Sequence, residues 1–178
     1  PIEIQFAPTG DKLVVVSTAA AERQTLAVLN LPDGNYSNPD GYSLQEGAYF
    51  TDGSSGITYQ WGNPIAFSLD GYTVAYIAPE GKTGLAQTFD LSNQYTLDTE
   101  HESVGEIVFS PDGQLLFTAY HGGEIQIWDV FDRSLLYTLE IYTNPLSEQS
   151  MVEFALSPDG RILATAAFGI IELWGVVP

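Results

Sequence analysis

The sequence predicts an all-β protein of about four four-stranded antiparallel sheets, the last of which lacks its outer strand. Three observations predict this fold class. Short apolar or alternating runs of strand length are separated by tight turn signals, a pattern typical of antiparallel sheets. A block of four such runs recurs along the chain. The 178 residues contain no stretch with the periodicity of a helix, which would repeat every three to four positions.

The block from Val104 to Leu139 shows the unit most clearly. An alternating run ends at Phe109, and the turn Ser110–Gly113 leads into the apolar run Leu115–Tyr120. Gly122 and Gly123 make a second turn before another alternating run. The four runs cover, in order, residues 104–109, 115–120, 125–128 and 133–139. Four short strands with tight turns predict one antiparallel sheet.

A glycine turn opens each of four copies of this unit, at Gly10, Gly71, Gly113 and Gly160. The spacings are 61, 42 and 47 residues. In the fullest copies proline presets the second position of the turn, and Asp-Gly supplies a side-chain acceptor and a permissive backbone. A matching third strand follows each turn and ends in a bulky residue. These bulky residues are Leu29, Phe89, Trp128 and Trp174.

The turn FSPDG at 109–113 followed by IWD at 127–129 resembles the WD-repeat, whose unit is one blade of a β-propeller. The resemblance implies that His101 and Thr118 join Trp128 in a polar set. The Asp expected six residues before each Trp is Gly122 in one copy and Phe168 in the other, so the set is incomplete. The first two copies are also similar to the TolB-type propeller repeat, which shares the turn.

The repeat divides the chain into blades at about 1–56, 57–98, 99–140 and 141–178, with an insertion at 32–63. The fourth blade has three strands, and Ile170–Trp174 then forms a bare apolar edge. Such an edge invites pairing or packing with another chain. We therefore expect the C-terminal part of a propeller of about seven or eight blades. The missing blades lie before Pro1 or in another chain.

Composition excludes several classes of partner. Lys and Arg total 5 against 23 Asp and Glu, a net charge of −18. Binding to nucleic acid or to an anionic membrane surface requires the opposite charge. The chain has no Cys, which removes disulfides, thiol nucleophiles and Cys-based zinc sites. The ending LWGVVP at 173–178 is similar to that of exported bacterial WD-repeat proteins, which favours an extracytoplasmic location.

Few residues suggest chemistry, so we expect no enzyme, no metal and no cofactor. His101 and His121 lie 20 residues apart in loops of one blade, and His101 fits a structural role. Asp70, Asp112 and Asp159 recur once per blade as turn residues and are not paired for acid–base work. The insertion carries Asp33, Asp40, Glu46 and Asp52 without the spacing of a calcium loop.

The insertion is the first candidate binding region, because long loops in compact domains are often functional. Residues 42–50 are expected to supply the outer strand of the first blade. The insertion is rich in aromatic residues, which are enriched at binding surfaces. These aromatics are Tyr36, Tyr42, Tyr49, Phe50, Tyr59 and Trp61.

The second candidate region is a rim of loops. It comprises the loops between second and third strands at 20–23, 79–83, 120–123 and 168–169, and the loops between blades at 98–103 and 141–149. Tyr120, His121 and Tyr142 are its candidate contact residues. The predicted function is a non-catalytic platform for a protein or peptide, or a subunit of an assembly. The alternative is a regulatory portion of a larger TolB-like hydrolase.

Overall fold

The structure is a computed structural model that describes residues 2–19, 23–30, 47–50, 65–77, 82–88, 93–99, 104–120, 123–141, 152–167 and 169–176. For residues 2–4, 14–19, 23–30 and 47–50 it describes the backbone alone. The described residues contain strands and turns and no helix. The predicted all-β class is confirmed.

The strands form four antiparallel sheets, and each strand pairs with its neighbours along the chain. The first sheet contains β1 (Ile2–Phe6), β2 (Lys12–Ala19), β3 (Arg23–Asn30) and β4 (Gly47–Phe50). The second contains β5 (Ile65–Phe67), β6 (Thr73–Ile77), β7 (Thr83–Gln87) and β8 (Tyr95–Thr96). Part of the predicted outer strand at 42–50 is observed as β4, which pairs with β3, and residues 42–46 lie outside the described residues.

The third sheet contains β9 (Val104–Phe109), β10 (Leu115–Tyr120), β11 (Glu124–Asp129) and β12 (Leu135–Glu140). The fourth contains β13 (Glu153–Leu156), β14 (Ile162–Ala167) and β15 (Ile170–Gly175). Within the described residues, the fourth sheet therefore has three strands where the others have four. Four successive antiparallel meanders of this kind are consistent with a partial β-propeller.

The third sheet packs between the second and the fourth. Leu116, Tyr120 and Trp128 on one face join Leu85 of the second sheet, and Leu97 just after β8, in a buried cluster. On the other face, a second cluster forms with the fourth sheet. It includes Phe117 and Ile125 of the third sheet and Phe154 and Leu163 of the fourth. Because strand side chains alternate between faces, β10 and β11 are buried on both sides.

One face of the fourth sheet is exposed. Ile171 and Leu173 of β15 are 73% and 71% exposed. Ile162 of β14 is also exposed and lies on the same face of the sheet. Trp174, on the opposite face, is half-buried and packs against the cluster shared with the third sheet. The apolar edge predicted at Ile170–Trp174 is thus observed.

Candidate functional site

Three of the four glycine turns contain a hydrogen-bonded Ser–Asp pair. In the third copy, the Ser110 hydroxyl donates to Asp112 Oδ1 at 2.5 Å and accepts the backbone N–H of Leu115 at 2.9 Å. The N–H of Gly113 donates to the carbonyl of Ser110 at 2.9 Å. The second and fourth copies repeat these bonds around Ser68 and Ser157. The sequence predicted the turns and their aspartates, but not the serine that links them.

The first copy keeps the turn without this serine. Ala7 occupies its position, and Thr9 donates instead to Asp11. The backbone bonds remain: Gly10 N–H donates to the Ala7 carbonyl, and Ala7 N–H to the Lys12 carbonyl, both at 2.9 Å. The backbone geometry of the turn therefore does not depend on the Ser–Asp pair, which adds local stability to it.

Neighbouring turns lie against one another. A Cβ built on Gly71 lies 3.2 Å from the Thr9 side chain, and a Cβ built on Gly160 lies 3.0 Å from Pro111. The same test at Gly113 finds the Ser68 side chain at 3.8 Å. The four turns thus follow each other along one side of the molecule, here named the turn face.

The connections after the third strands reach the same side. Val130 N–H donates to the carbonyl of Gln114, and Thr88 N–H to the carbonyl of Tyr72, both at 2.9 Å. Gln114 and Tyr72 each follow a turn glycine. The turn face therefore carries two loops from each of the second and third sheets.

The buried face of the third sheet carries a polar pair. The indole N–H of Trp128 donates to Thr118 Oγ1 at 3.1 Å, and both side chains are buried. The fourth sheet repeats the bond between Trp174 and Thr165, also at 3.1 Å. Thr118 is thus the hydroxyl partner of Trp128, as the WD-repeat resemblance implied. His101 and Phe89, the other predicted structural residues, lie outside the described residues.

Tyr120 is buried, contrary to the sequence prediction. It was expected on an exposed rim, but only 1% of it is exposed, and it packs among the buried side chains between the second and third sheets. It stands two residues after Thr118 on one strand, so both side chains point to the same buried face. Burial raises the pKa of its phenol, and the Thr118, Thr99 and Thr83 hydroxyls act in the opposite direction.

The other predicted contact residues lie outside the described side chains. Tyr59, Trp61, His121 and Tyr142 are not among the described residues, and Tyr49 and Phe50 are described only as backbone of β4. The insertion and the predicted rim therefore remain predictions.

Exposed apolar side chains mark the turn face instead. Leu69 and Tyr72 are exposed on the β5–β6 turn, and Phe131 on the β11–β12 turn is 91% exposed. Sequence reasoning missed all three residues. A signal was present, because each is a large apolar side chain inside a turn that polar residues usually fill.

The carboxylates of Asp112 and Asp159 on the turn face accept hydrogen bonds from groups of their own turns. Hydrogen bonds from the Ser110 hydroxyl and the Gln114 N–H lower the pKa of Asp112, and bonds from Ser157 and Arg161 lower that of Asp159. Both groups are therefore charged at neutral pH. Among the side chains that the structure describes, no three His, Asp or Glu groups are placed to hold a metal ion. Within the same residues, no helix has the length and apolarity to span a bilayer.

Residues 92–129 match the family model of the WD domain, G-beta repeat. The match covers the third copy from before β9 to the end of β11, including its turn and the residues Thr118 and Trp128. Among the curated proteins, none matches the chain. The matched segment runs from β8 of the second sheet through the first three strands of the third sheet, and it supports the assignment of this repeat to the WD-repeat family.

Proposed function

We propose that this chain is a portion of a WD-type β-propeller that acts as a non-catalytic platform for a protein or peptide partner. WD-repeats in general build interaction platforms, and the match at 92–129 supports that general role here. In such folds the repeat builds a rigid ring and the loops select the partner.

The observation that carries the proposal is the exposed face of the fourth sheet. In the third sheet, Ile127 pairs with Phe117 and Ile125 with Ala119. In the fourth sheet, Leu173 pairs with Ala164 and Ile171 with Ala166. Counted from the Trp–Thr bond of each sheet, Leu173 corresponds to Ile127 and Ile171 to Ile125.

Both sets are apolar, but they differ in burial. Ile125 and Ile127 are 0% and 7% exposed because the fourth sheet covers them, whereas Ile171 and Leu173 lie open. The fourth sheet therefore presents the apolar face that, one repeat earlier, receives the next blade. A further blade, in the same polypeptide or in another chain, is the covering element that this face fits.

The mass of the protein isolated from its source, measured intact and under native conditions, tests this proposal. We expect either a polypeptide well above 19.4 kDa or a chain of that mass found within a larger complex. The first outcome places the further blades in the same chain, and the second places them in other subunits. A free monomer of 19.4 kDa would contradict the proposal.

The rival function is regulation of a hydrolase by a TolB-like propeller. Both functions use the same blades, and the sequence upstream of Pro1 in the protein from its source distinguishes them. Repeated blades upstream of Pro1 support the platform. A catalytic domain there supports the rival.

A further inference from the structure

Phe131 is presented by a turn that the rest of the sheet holds in place. The Asp132 N–H donates to Asp129 Oδ1 at 2.7 Å, and the Asp129 N–H donates to the carbonyl of Ser134 at 2.9 Å. The Val130 N–H is bonded to the glycine turn through the carbonyl of Gln114. The most exposed large apolar side chain in the described residues therefore stands on a fixed support.

A groove of about 570 Å³ lies beside Phe131, between the second and third sheets. Leu85 and Ala86 line it from the second sheet, and Val130 and Phe131 line it from the third. A space of this size accepts one or two apolar side chains of a bound segment.

Arg133 borders the groove on one side. Its guanidinium lies over the Tyr95 ring, 4.7 Å from the centroid, at a distance where a cation and a ring attract each other. The backbone of Arg133 is left-handed, with φ of 59°, a conformation that a residue other than glycine rarely adopts. The charge of Arg133 is thus directed at Tyr95 in a position that the turn fixes.

The remaining charge around the groove is negative. Asp129 lines it, and Gln114 on its wall bonds through its N–H to Asp112 Oδ1 at 3.0 Å. Asp132 follows Phe131 directly in the same turn. One carboxylate, that of Asp129, therefore lines the groove, and Asp112 and Asp132 lie in the two turns that border it. In a protein with a net charge of −18, such a field attracts cationic segments.

We propose that this groove docks an extended segment of a partner protein that inserts an apolar side chain against Phe131 and Leu85 and carries Lys or Arg beside it. Exposed aromatics on rigid supports commonly dominate the binding energy of interfaces. The proposal rests on the platform function and names its partner: a basic segment with an apolar anchor. It also places binding on the turn face rather than on the predicted rim.

Selection from a phage-displayed library of random dodecapeptides against the full protein tests the proposal. We expect the enriched peptides to carry an apolar residue next to Lys or Arg. Fluorescence anisotropy with the synthesised peptides then measures the affinity of each variant. Phe131→Ser is expected to weaken binding by more than about tenfold, since anchors of this kind contribute upwards of about 1.4 kcal/mol. Tyr137→Ser, which removes an exposed aromatic from β12 outside the groove, is the matched control and should leave the affinity unchanged.

Gln114→Lys provides a second test that spares the apolar walls. Gln114 is exposed, and a cation at its position should weaken binding of the basic peptides, most strongly at low salt. Peptides whose affinity is unaffected by both Phe131→Ser and Gln114→Lys would overturn the groove while leaving the platform intact. Enrichment of acidic peptides would also overturn it. A selection that enriches no binding peptide would count against the groove and the platform together.

Discussion

Removal of the Trp128–Thr118 hydrogen bond measures how much a buried polar pair contributes to the stability of these sheets. Thr118→Val keeps the shape of the side chain but leaves the Trp128 N–H without its acceptor in a buried site. We expect a loss of about 1–3 kcal/mol in the free energy of unfolding, measured by urea denaturation followed by tryptophan fluorescence.

Thr165→Val in the fourth sheet is the matched control. It removes the same 3.1 Å bond, but Trp174 is only half-buried, so water can replace the lost acceptor. The expected loss is therefore smaller than for Thr118→Val. Equal losses in the two variants would show that burial does not set the energy of this bond.

Glu106 makes stability depend on pH at the boundary of the third and fourth sheets. Burial raises the pKa of its carboxyl above the ordinary value of 4.5, and the nearby Glu153 acts in the same direction, while the Phe154 N–H opposes both. A carboxyl with a raised pKa in the folded state costs no stability when protonated. The cost develops as pH rises past the unfolded pKa and is complete above the folded pKa.

Glu106→Gln removes this cost and retains an oxygen that accepts from Phe154. We expect the variant to be more stable than the wild type at pH 7, with the difference vanishing below the ordinary pKa of 4.5. Urea midpoints measured across this pH range provide the test. Glu153→Gln should recover part of the gain, because it removes one of the two causes. A gain that persists at low pH would point to packing rather than charge.

At the scale of the element, each glycine turn connects two strands of one sheet and packs against the turn of a neighbouring sheet. Gly10 and Gly160 share a left-handed backbone, with φ of 73° and 71°. A Cβ at Gly10 meets nothing within 4 Å, whereas a Cβ at Gly160 lies 3.0 Å from Pro111 of the preceding turn. A comparison of alanine substitutions at Gly10 and Gly160 therefore separates the cost of backbone strain from the cost of crowding between turns.

Gly10→Ala should cost about 1–2 kcal/mol, the penalty of a left-handed conformation for a residue with a Cβ. Gly160→Ala should carry the same penalty and a further loss, because Pro111 must shift. Thermal unfolding of both variants measures the difference. If Gly160→Ala cost no more than Gly10→Ala, the fourth turn would have room to move away from the third.

The elements were predictable because their signals are local. Period-two alternation and the Asp-Gly turns specify β9 to β11 within one stretch of chain, and the strands lie where the pattern indicated. The same alternation places Tyr120 on the face of Thr118. The strand pattern therefore indicates that Tyr120 is buried, provided that Tyr120 is counted as the last residue of the strand and not as the first residue of the loop. The groove beside Phe131 was not predictable, because it arises between Leu85 and Val130, far apart in sequence.

At the scale of the whole molecule, the third and fourth sheets differ in how many of their faces are covered by a neighbouring sheet. The third sheet is covered on both faces, whereas the fourth is covered on one. The residues that a further blade would cover are as apolar as their buried counterparts in the third sheet. Exposed apolar surface of this kind marks contact with another element.

Leu173→Asp tests whether that surface is covered in the assembled protein. If a further blade packs on it, the variant buries an unpaired carboxylate, and we expect a loss of several kcal/mol. Leu136→Asp is the control, since Leu136 is exposed on the outer strand β12 and should tolerate the charge. Urea denaturation and native mass of the protein from its source provide the two measurements. A loss no greater than that of Leu136→Asp would mean that the face stays in water, and the fourth sheet would then be the true end of the stack.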